Sequence, residues 1–200
     1  MAEEEDKHLL EGKVILLGDA GVGKTNLINI SIGEKFDPNK ACTITASFVE
    51  KKFEIDSIKY KLYLWDTAGS ETYRGLTKLF FKGSDIVIFV YEITDKKSFN
   101  NLESWINDAK EIIDNNYVFG IVGNKNDLYN IEQVPEKEAK EYAQSKGAKF
   151  KLVSAKEDPK SFIDFLIDLT KDAKPLLEEK KEKILLEKEK TKKKKKSRKC

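Results

Sequence analysis

The 200-residue chain is 36% charged and 40% hydrophobic, which suits one ordinary domain and a tail. No apolar run reaches the roughly 18 residues that span a bilayer. No apolar stretch of signal-peptide type follows the acidic start Met1–Asp6, so we expect a cytosolic protein. Two cysteines, Cys42 and Cys200, with one histidine, His8, favour neither a structural disulfide nor a zinc site.

Charge is unevenly distributed along the chain. The net charge of +2 includes seven positive charges near the C-terminus, on Lys192–Lys196, Arg198 and Lys199, and without them the rest carries −5. An acidic domain followed by a basic tail is a two-part design. We predict an acidic N-terminal extension over residues 1–12, one folded domain over residues 13–174 and a polybasic tail over residues 175–200.

Apolar runs and alternating stretches predict six strands. Two of them alternate apolar and polar residues as a hairpin does, and the fourth is a continuous β-branched and aromatic run, typical of a strand buried on both faces. The six predicted strands are Val14–Leu17, Ser47–Glu54, Lys59–Trp65, Ile86–Tyr91, Val118–Val122 and Lys149–Val153.

Helical periodicity fills intervals between these strands. Apolar spacing is close to helical over Ser98–Asn115, and prolines at first-turn positions precede predicted helices at Glu136–Ser145 and Lys160–Asp172. This alternation predicts an α/β fold, and the phosphate-loop motif described next makes the P-loop NTPase type the expected one. We expect a six-stranded, mostly parallel sheet with helices on both faces.

The segment Gly18-Asp19-Ala20-Gly21-Val22-Gly23-Lys24-Thr25 has the phosphate-loop spacing G-x-x-x-x-G-K-[ST]. It stands between a predicted strand and the helix start Asn26–Ile30. Glycines let several N–H groups point at one anion, and the helix N-terminus adds its dipole. We expect Lys24 to reach the β- and γ-phosphates and Thr25 to ligate Mg²⁺. The alternative, a Gly-rich turn without a ligand, fits the flanking strand and helix poorly.

Three further motifs follow predicted strands, at the ends where open α/β sheets bind ligands. Asp66-Thr67-Ala68-Gly69 offers an acid for Mg²⁺ and an N–H group for a γ-phosphate. In Asn124-Lys125-Asn126-Asp127, the last carboxylate can accept two hydrogen bonds from guanine, whereas adenine offers no such donor pair. Ser154-Ala155-Lys156 can close over the base. The alternatives are an ATP-using P-loop enzyme or plain polar turns.

From about Lys13 to Asp172 the chain resembles a Ras-superfamily small GTPase, most of all its Rab branch. Further matching segments are Tyr73–Thr77, Phe80–Gly83 and Ser98–Leu102. The resemblance implies GTP or GDP bound with Mg²⁺, and it implies Thr25, Thr43 and a water-linked Asp66 as the metal site. The implied nucleotide-binding residues are Gly21, Val22, Gly23, Lys24, Thr25, Asn26, Phe36, Thr43, Gly69, Asn124, Lys125, Asp127, Ser154, Ala155 and Lys156.

Two departures from the family pattern concern hydrolysis and effector choice. Beside Lys24 and Gly69, the implied catalytic group includes position 70, where family members usually carry a Gln that orients the attacking water. Ser70 is too short for that role, so we expect slow intrinsic hydrolysis, rescued in part by a Rab-type GAP that supplies its own Gln. In the first switch, Thr43-Ile44-Thr45-Ala46-Ser47-Phe48 stands where Thr-Ile-Gly-Val-Asp-Phe is usual, which bears on effector choice.

The resemblance also implies partners. A guanine-nucleotide exchange factor, a Rab-type GAP and effectors are expected, with Phe48, Trp65 and Phe80 as the aromatic cluster that effectors read. The alternative for this cluster is ordinary core packing. We expect a monomer and no nucleic-acid partner.

The tail has its own expected role. Pro175 is expected to end the domain, with residues 176–190 helical in part or extended and residues 192–199 disordered. A basic run ending in Cys200 suggests a prenylated anchor on an anionic membrane surface. The sequence has neither a C-a-a-X box nor a cysteine pair at its end. The alternatives are an unmodified tail and a nuclear-import or nucleic-acid patch.

Together these features predict a Rab-like GTP/GDP switch in membrane or vesicle trafficking. We expect it on the cytoplasmic face of an intracellular membrane or the plasma membrane, with a cytosolic pool. The alternative is a non-hydrolysing GTP-bound scaffold that recruits effectors, which Ser70 keeps open.

Overall fold

A six-stranded sheet forms the centre of the computed structural model, which describes residues 9–113 and 116–197. The strand order is β2-β3-β1-β4-β5-β6, with β2 antiparallel to β3 and the other neighbours parallel. The strands are β1 (Leu9–Leu17), β2 (Ser47–Ile55), β3 (Ile58–Asp66), β4 (Ile86–Glu92), β5 (Val118–Asn124) and β6 (Lys149–Leu152). The predicted sheet is confirmed.

The β2–β3 hairpin turns on Asp56 and Ser57, which have φ angles of 49° and 64°. A two-residue loop with both angles positive matches the right-handed twist of the strands it joins. Ile55 pairs with Ile58 across this turn, and the register continues to Ser47 opposite Asp66. The hairpin thereby brings the start of β2 beside the end of β3.

The helices cover both faces of the sheet. Val14 and Leu16 belong to one buried cluster with residues of α1 and α6, whereas Ile15 and Leu17 belong to another with residues of α4 and α5. Because successive strand residues point to opposite faces, the two clusters are the two layers of the core. The helices are α1 (Lys24–Ser31), α2 (Arg74–Lys78), α3 (Lys96–Asn100), α4 (Leu102–Ile112), α5 (Glu136–Ser145) and α6 (Pro159–Ser197).

The predicted boundaries of the Ser98–Asn115 helix and of the first strand are wrong. The predicted Ser98–Asn115 helix is two helices, α3 and α4, divided at Asn101. The segment starts earlier than predicted because the Asp95 side chain accepts a hydrogen bond from the Lys97 N–H and caps α3. Asn115 lies outside the described residues. The first strand begins at Leu9, because Leu9 already pairs with Lys59 on β3.

The predicted end of the last helix is also wrong. Helix α6 continues through Pro175 to Ser197, so the backbone of residues 192–197 is helical where disorder is expected. Proline removes one helical hydrogen bond, but Ala173 and Leu177 on either side of it are buried in the core. The burial of these two side chains stabilises the helix across Pro175. Cys200 and residues 1–8 lie outside the described residues. No helix in the described ranges is long and apolar enough to cross a membrane.

Candidate nucleotide site

The phosphate loop joins β1 to α1 and is hydrogen-bonded to the last residue of β5. The Asn124 side chain donates a hydrogen bond to the Val22 carbonyl at 2.8 Å. Gly23 has a φ of 97°, and a Cβ at this position would overlap the Asn124 amide. The loop therefore requires glycine where it meets Asn124, and two motifs about one hundred residues apart in sequence are brought together.

Lys24 is directed into the phosphate loop. Its ammonium donates to the carbonyls of Gly18 and Asp19, both at 2.8 Å, and the residue is 5% exposed. Burial, partly offset by attraction to Asp66, Asp19 and Cys42, lowers the pKa of Lys24 to about 8. A buried ammonium held by carbonyls can exchange them for a phosphate oxygen at little cost.

Three oxygen-bearing side chains converge beside this lysine. Thr25 Oγ1 lies 2.9 Å from Thr43 Oγ1 and 2.8 Å from Asp66 Oδ2, and Thr43 Oγ1 lies 3.1 Å from the same carboxylate oxygen. Asp66 Oδ1 is buried and has no hydrogen-bond partner among the described residues. Hydroxyl and carboxylate oxygens are hard ligands of the type that Mg²⁺ prefers, so this cluster fits that ion.

The loops after β5 and β6 meet at the other end of the site. Asp127 Oδ1 accepts a hydrogen bond from the Ser154 hydroxyl at 2.6 Å, and Asn124 Oδ1 accepts one from the Ala155 N–H at 3.3 Å. The Lys125 ammonium forms an ion pair with Glu92, the last residue of β4. These contacts fix the direction of the Asp127 carboxylate.

One cavity of about 690 Å³ joins the two ends. Fourteen of the residues named from the sequence line it: Gly21, Gly23, Lys24, Thr25, Asn26, Phe36, Thr43, Gly69, Ser70, Asn124, Lys125, Asp127, Ala155 and Lys156. Val22 and Ser154 stand behind the wall, in contact with Asn124 and Asp127, and Asp66 lines an adjoining cavity that also includes Thr25 and Thr43.

Gly69 and Ser70 occupy the wall next to the phosphate loop. A Cβ at Gly69 would overlap the backbone of Asp19 and Ala20, so this position admits glycine alone. The Ser70 carbonyl accepts a hydrogen bond from the Tyr73 N–H at 3.0 Å, which starts the turn that leads to α2.

The predicted aromatic cluster is contiguous and partly open. The Phe48 and Trp65 rings are stacked with centroids 5.0 Å apart, and Trp65 and Phe80 follow at 5.4 Å. Phe48 remains 49% exposed. The cluster is thus surface as well as core.

Several contacts of the site have no signal in the sequence. Glu92 reaches Lys125 from a different strand, and Asp19 accepts hydrogen bonds from Asn101 and Trp105. Tyr73 and Cys42 also line the cavity. Contacts between residues so far apart in sequence depend on the sheet order, which motif spacing does not reveal.

A strand–phosphate loop–helix unit with an oxygen cluster beside its lysine defines a P-loop nucleotide-binding protein. A family model described as the Ras family matches residues 13–172. The chain belongs to the Ras family. GTP hydrolysis is the activity of this family, whose members bind guanine nucleotide and Mg²⁺.

Curated relatives narrow the class further. Ras-related protein Rab-21 of Geodia cydonium is 41% identical over 162 residues, which are 81% of this chain and 70% of the relative. Rab-31 of Rattus norvegicus is 43% identical over 146 residues, or 73% and 75%. Rab-22A of Homo sapiens is 41% identical over 148 residues, or 74% and 76%. The chain is a Rab-like small GTPase, and this membership favours a switch over a non-hydrolysing scaffold.

Proposed function

We propose that the chain is a GTP/GDP switch in membrane trafficking whose nucleotide lies in the 690 Å³ cavity. The observation that carries this proposal is the convergence of Thr25, Thr43 and Asp66 beside Lys24, with Asp127 at the opposite end of the same cavity. Phosphate and metal ligands at one end and a base-reading carboxylate at the other match a nucleoside phosphate.

The proposed role of each residue follows from its position in the cavity. Lys24 and the N–H groups of residues 21–26 bind the phosphates, and Thr25, Thr43 and Asp66 would hold Mg²⁺, which supplies charge neutralisation at the phosphates when bound. Because Thr43 belongs to the loop before β2, loss of the γ-phosphate releases that loop. The Gly69 N–H provides a second contact that depends on the γ-phosphate.

Asp127 selects guanine. Its carboxylate, oriented by the Ser154 hydroxyl, accepts hydrogen bonds from N1–H and the exocyclic amine of the base. Adenine would leave this carboxylate without donors, a strong penalty in a partly closed site. Phe36, Asn124, Lys125, Ala155 and Lys156 form the rest of the wall around the base.

Intrinsic hydrolysis is slow because Ser70 replaces the water-orienting Gln. A serine hydroxyl is too short to reach a water positioned for in-line attack. Turnover then depends on a GAP that provides this group itself. Exchange factors and effectors complete the cycle, with Phe48, Trp65 and Phe80 as the surface that effectors bind.

The basic tail supports a position of the switch on the cytoplasmic face of a membrane. Residues 192–199 carry seven positive charges, and Cys200 offers a thiol for prenylation. One lipid chain binds weakly, so the basic run provides the second attachment. Mass spectrometry of the native C-terminal peptide tests this step, and a free Cys200 thiol would reject the lipid anchor.

Single-turnover hydrolysis of preloaded GTP tests the switch. The native protein and Ser70→Gln are compared with and without a Rab-type GAP. Slow turnover alone and fast turnover with the GAP is the expected result for the native chain, and Ser70→Gln should be faster in the absence of the GAP. If native hydrolysis without the GAP equals that of Ser70→Gln, the role given to position 70 is wrong. If the GAP has no effect and Ser70→Gln restores turnover, the scaffold is favoured.

A further inference from the structure

Helix α2 (Arg74–Lys78) is held in place by few apolar contacts. Thr77 is its buried residue, whereas Leu76 is 59% exposed and Leu79, just after the helix, is 74% exposed. A five-residue helix has little stability of its own. The position of this segment, which follows Gly69 and Ser70, must depend largely on polar contacts.

The Thr77 hydroxyl donates to the Ala68 carbonyl at 3.1 Å, and Arg74 makes further contacts, all of them to α4. Its Nε lies 2.7 Å from Asp108 Oδ2, its Nη2 donates to the Ser104 hydroxyl at 2.6 Å, and its guanidinium carbon lies 4.3 Å from the centroid of Trp105. Lys78 pairs with the other carboxylate oxygen of Asp108 at 2.8 Å. A planar guanidinium can satisfy a carboxylate and stack on an indole at the same time.

Trp105 connects this contact to the phosphate loop. The ring is 1% exposed, and its Nε1 donates to Asp19 Oδ1 at 2.8 Å. Asn101 donates to the other oxygen of Asp19 at 2.6 Å, so both carboxylate oxygens are bonded to the helical segment that carries Trp105. The indole N–H therefore donates to the phosphate loop, while the face of the same ring packs against the Arg74 guanidinium.

We propose that Arg74 is a positioning residue of the GTPase, forming with Trp105 and Asp108 a clasp that fixes α2 against the phosphate loop in the GTP-bound state. The proposal rests on the proposed nucleotide switch. Gly69 already abuts the backbone of Asp19 and Ala20. When the γ-phosphate leaves and Gly69 withdraws, the short connection to Arg74 draws the guanidinium away from the indole. The clasp is thus closed with GTP and open with GDP.

Indole fluorescence gives a direct readout of the clasp. The chain has two tryptophans, so Trp65→Phe leaves Trp105 as the sole indole, which is excited selectively over the tyrosines at long wavelength. A cation on the ring face alters its emission. We expect the Trp65→Phe protein to show different Trp105 emission with GDP and with a non-hydrolysable GTP analogue. Adding Arg74→Ala should abolish this difference.

Lys78→Ala is the matched control. Lys78 also pairs with Asp108, but it does so through Oδ1, on the side away from the Arg74 contact. The control should keep the nucleotide-dependent emission difference. Asp108→Asn is the second variant, because it weakens the same clasp from the other partner. It should reduce the difference even if Arg74→Ala fails to fold.

Hydrolysis provides the functional measurement. In the otherwise native protein, Arg74→Ala should slow single-turnover GTP hydrolysis roughly tenfold while GDP affinity stays within about twofold of the native value. Arg74→Lys keeps the charge without the planar fork and should recover only part of the rate.

Two results would overturn the clasp: an emission difference that survives in both Arg74→Ala and Asp108→Asn, or native hydrolysis in Arg74→Ala. Chromatography of the bound nucleotide separates this failure from failure of the switch itself. A parent protein that retains guanine nucleotide but shows the same emission in both states rejects the clasp alone. A parent that retains no guanine nucleotide rejects the proposed function and the clasp with it.

Discussion

Lys180 forms an ion pair with the buried carboxylate of Asp85, with Lys180 Nζ 2.6 Å from Asp85 Oδ2 and 2.9 Å from Oδ1. Asp85 also accepts a hydrogen bond from the Lys13 backbone N–H at 2.7 Å. One residue further on, the Lys181 ammonium donates to the Leu9 carbonyl at 3.0 Å. These contacts fasten α6 to β1 beyond Pro175, so the tail leaves the domain as a helix from a fixed point.

Replacing Lys180 should destabilise the domain. Lys180→Ala removes the ammonium in direct contact with the Asp85 carboxylate, whose side chain is 8% exposed, and leaves the weaker attraction of Lys13. Because Lys180 itself is 40% exposed, solvent screening limits the loss to about 1–2 kcal/mol. Urea unfolding measures it. Lys183→Ala, which removes an exposed pair with Glu179, should cost about 0.5 kcal/mol or less. Equal losses in the two variants would show that the Asp85 contact does not hold the helix.

Gly69→Ala should separate the phosphate loop from the segment that follows β3. The added Cβ overlaps the backbone of Asp19 and Ala20, which cannot yield as a flexible side chain does. We expect GTP affinity to fall at least about tenfold relative to GDP affinity, because in the proposed site the Gly69 N–H contacts only the γ-phosphate, which GDP lacks. Displacement of a fluorescent GDP by each nucleotide measures the ratio.

Gly75→Ala is the control for this change. A Cβ at Gly75 meets no described atom within 4 Å, and alanine is the better helix former inside α2. The ratio of GTP to GDP affinity should stay at its native value in this variant. A native ratio in Gly69→Ala as well would contradict the proposed contact with the γ-phosphate.

Asp127→Asn should exchange guanine for xanthine selectivity. An asparagine amide offers one acceptor and one donor, which match N1–H and the 2-carbonyl of xanthine but not the two donors of guanine. GTP affinity should fall by roughly a hundredfold or more and XTP should become the better ligand. Calorimetry with both nucleotides tests this. Ser154→Ala removes the hydrogen bond that orients Asp127, so it should lower the affinity for GTP without changing the preference for guanine over xanthine.

The sheet and the ends of its strands could be predicted because each depends on local sequence. The run Ile86–Tyr91 is apolar throughout since both of its faces are buried, and the phosphate loop needs its glycines and lysine in a fixed spacing. The Asp56-Ser57 turn likewise follows from the alternation of the two strands it joins. Local signals of this kind do not depend on contacts with distant parts of the chain.

The missed features depend on contacts between distant residues. Pro175 is a helix breaker by local rules, yet Leu177 and Lys180 find partners on the domain that hold the helix together. Trp105 has an ordinary place in an apolar helical stripe, and its bond to Asp19, 86 residues away, exists only once β1 and β4 are neighbours. Tertiary contacts decide such positions, and no spacing in the sequence encodes them.

The affinity for phosphate should fall as the pH rises through the pKa of Lys24. In the protein without nucleotide this pKa is about 8, against 10.5 for an unburied lysine, and Asp66, Asp19 and Cys42 are the groups that face the ammonium. A bound phosphate stabilises the charged form, so binding above pH 8 takes up a proton. From pH 7 to 8.5 the charged fraction of Lys24 falls from roughly 0.9 to 0.25, which predicts about fourfold weaker GDP binding.

Calorimetry in two buffers of different ionisation enthalpy measures both the affinity and the proton uptake. Lys24→Arg keeps its charge throughout this range, and its affinity, although lower, should not change with pH. The same slope in Lys24→Arg as in the native protein would assign the titration to another group.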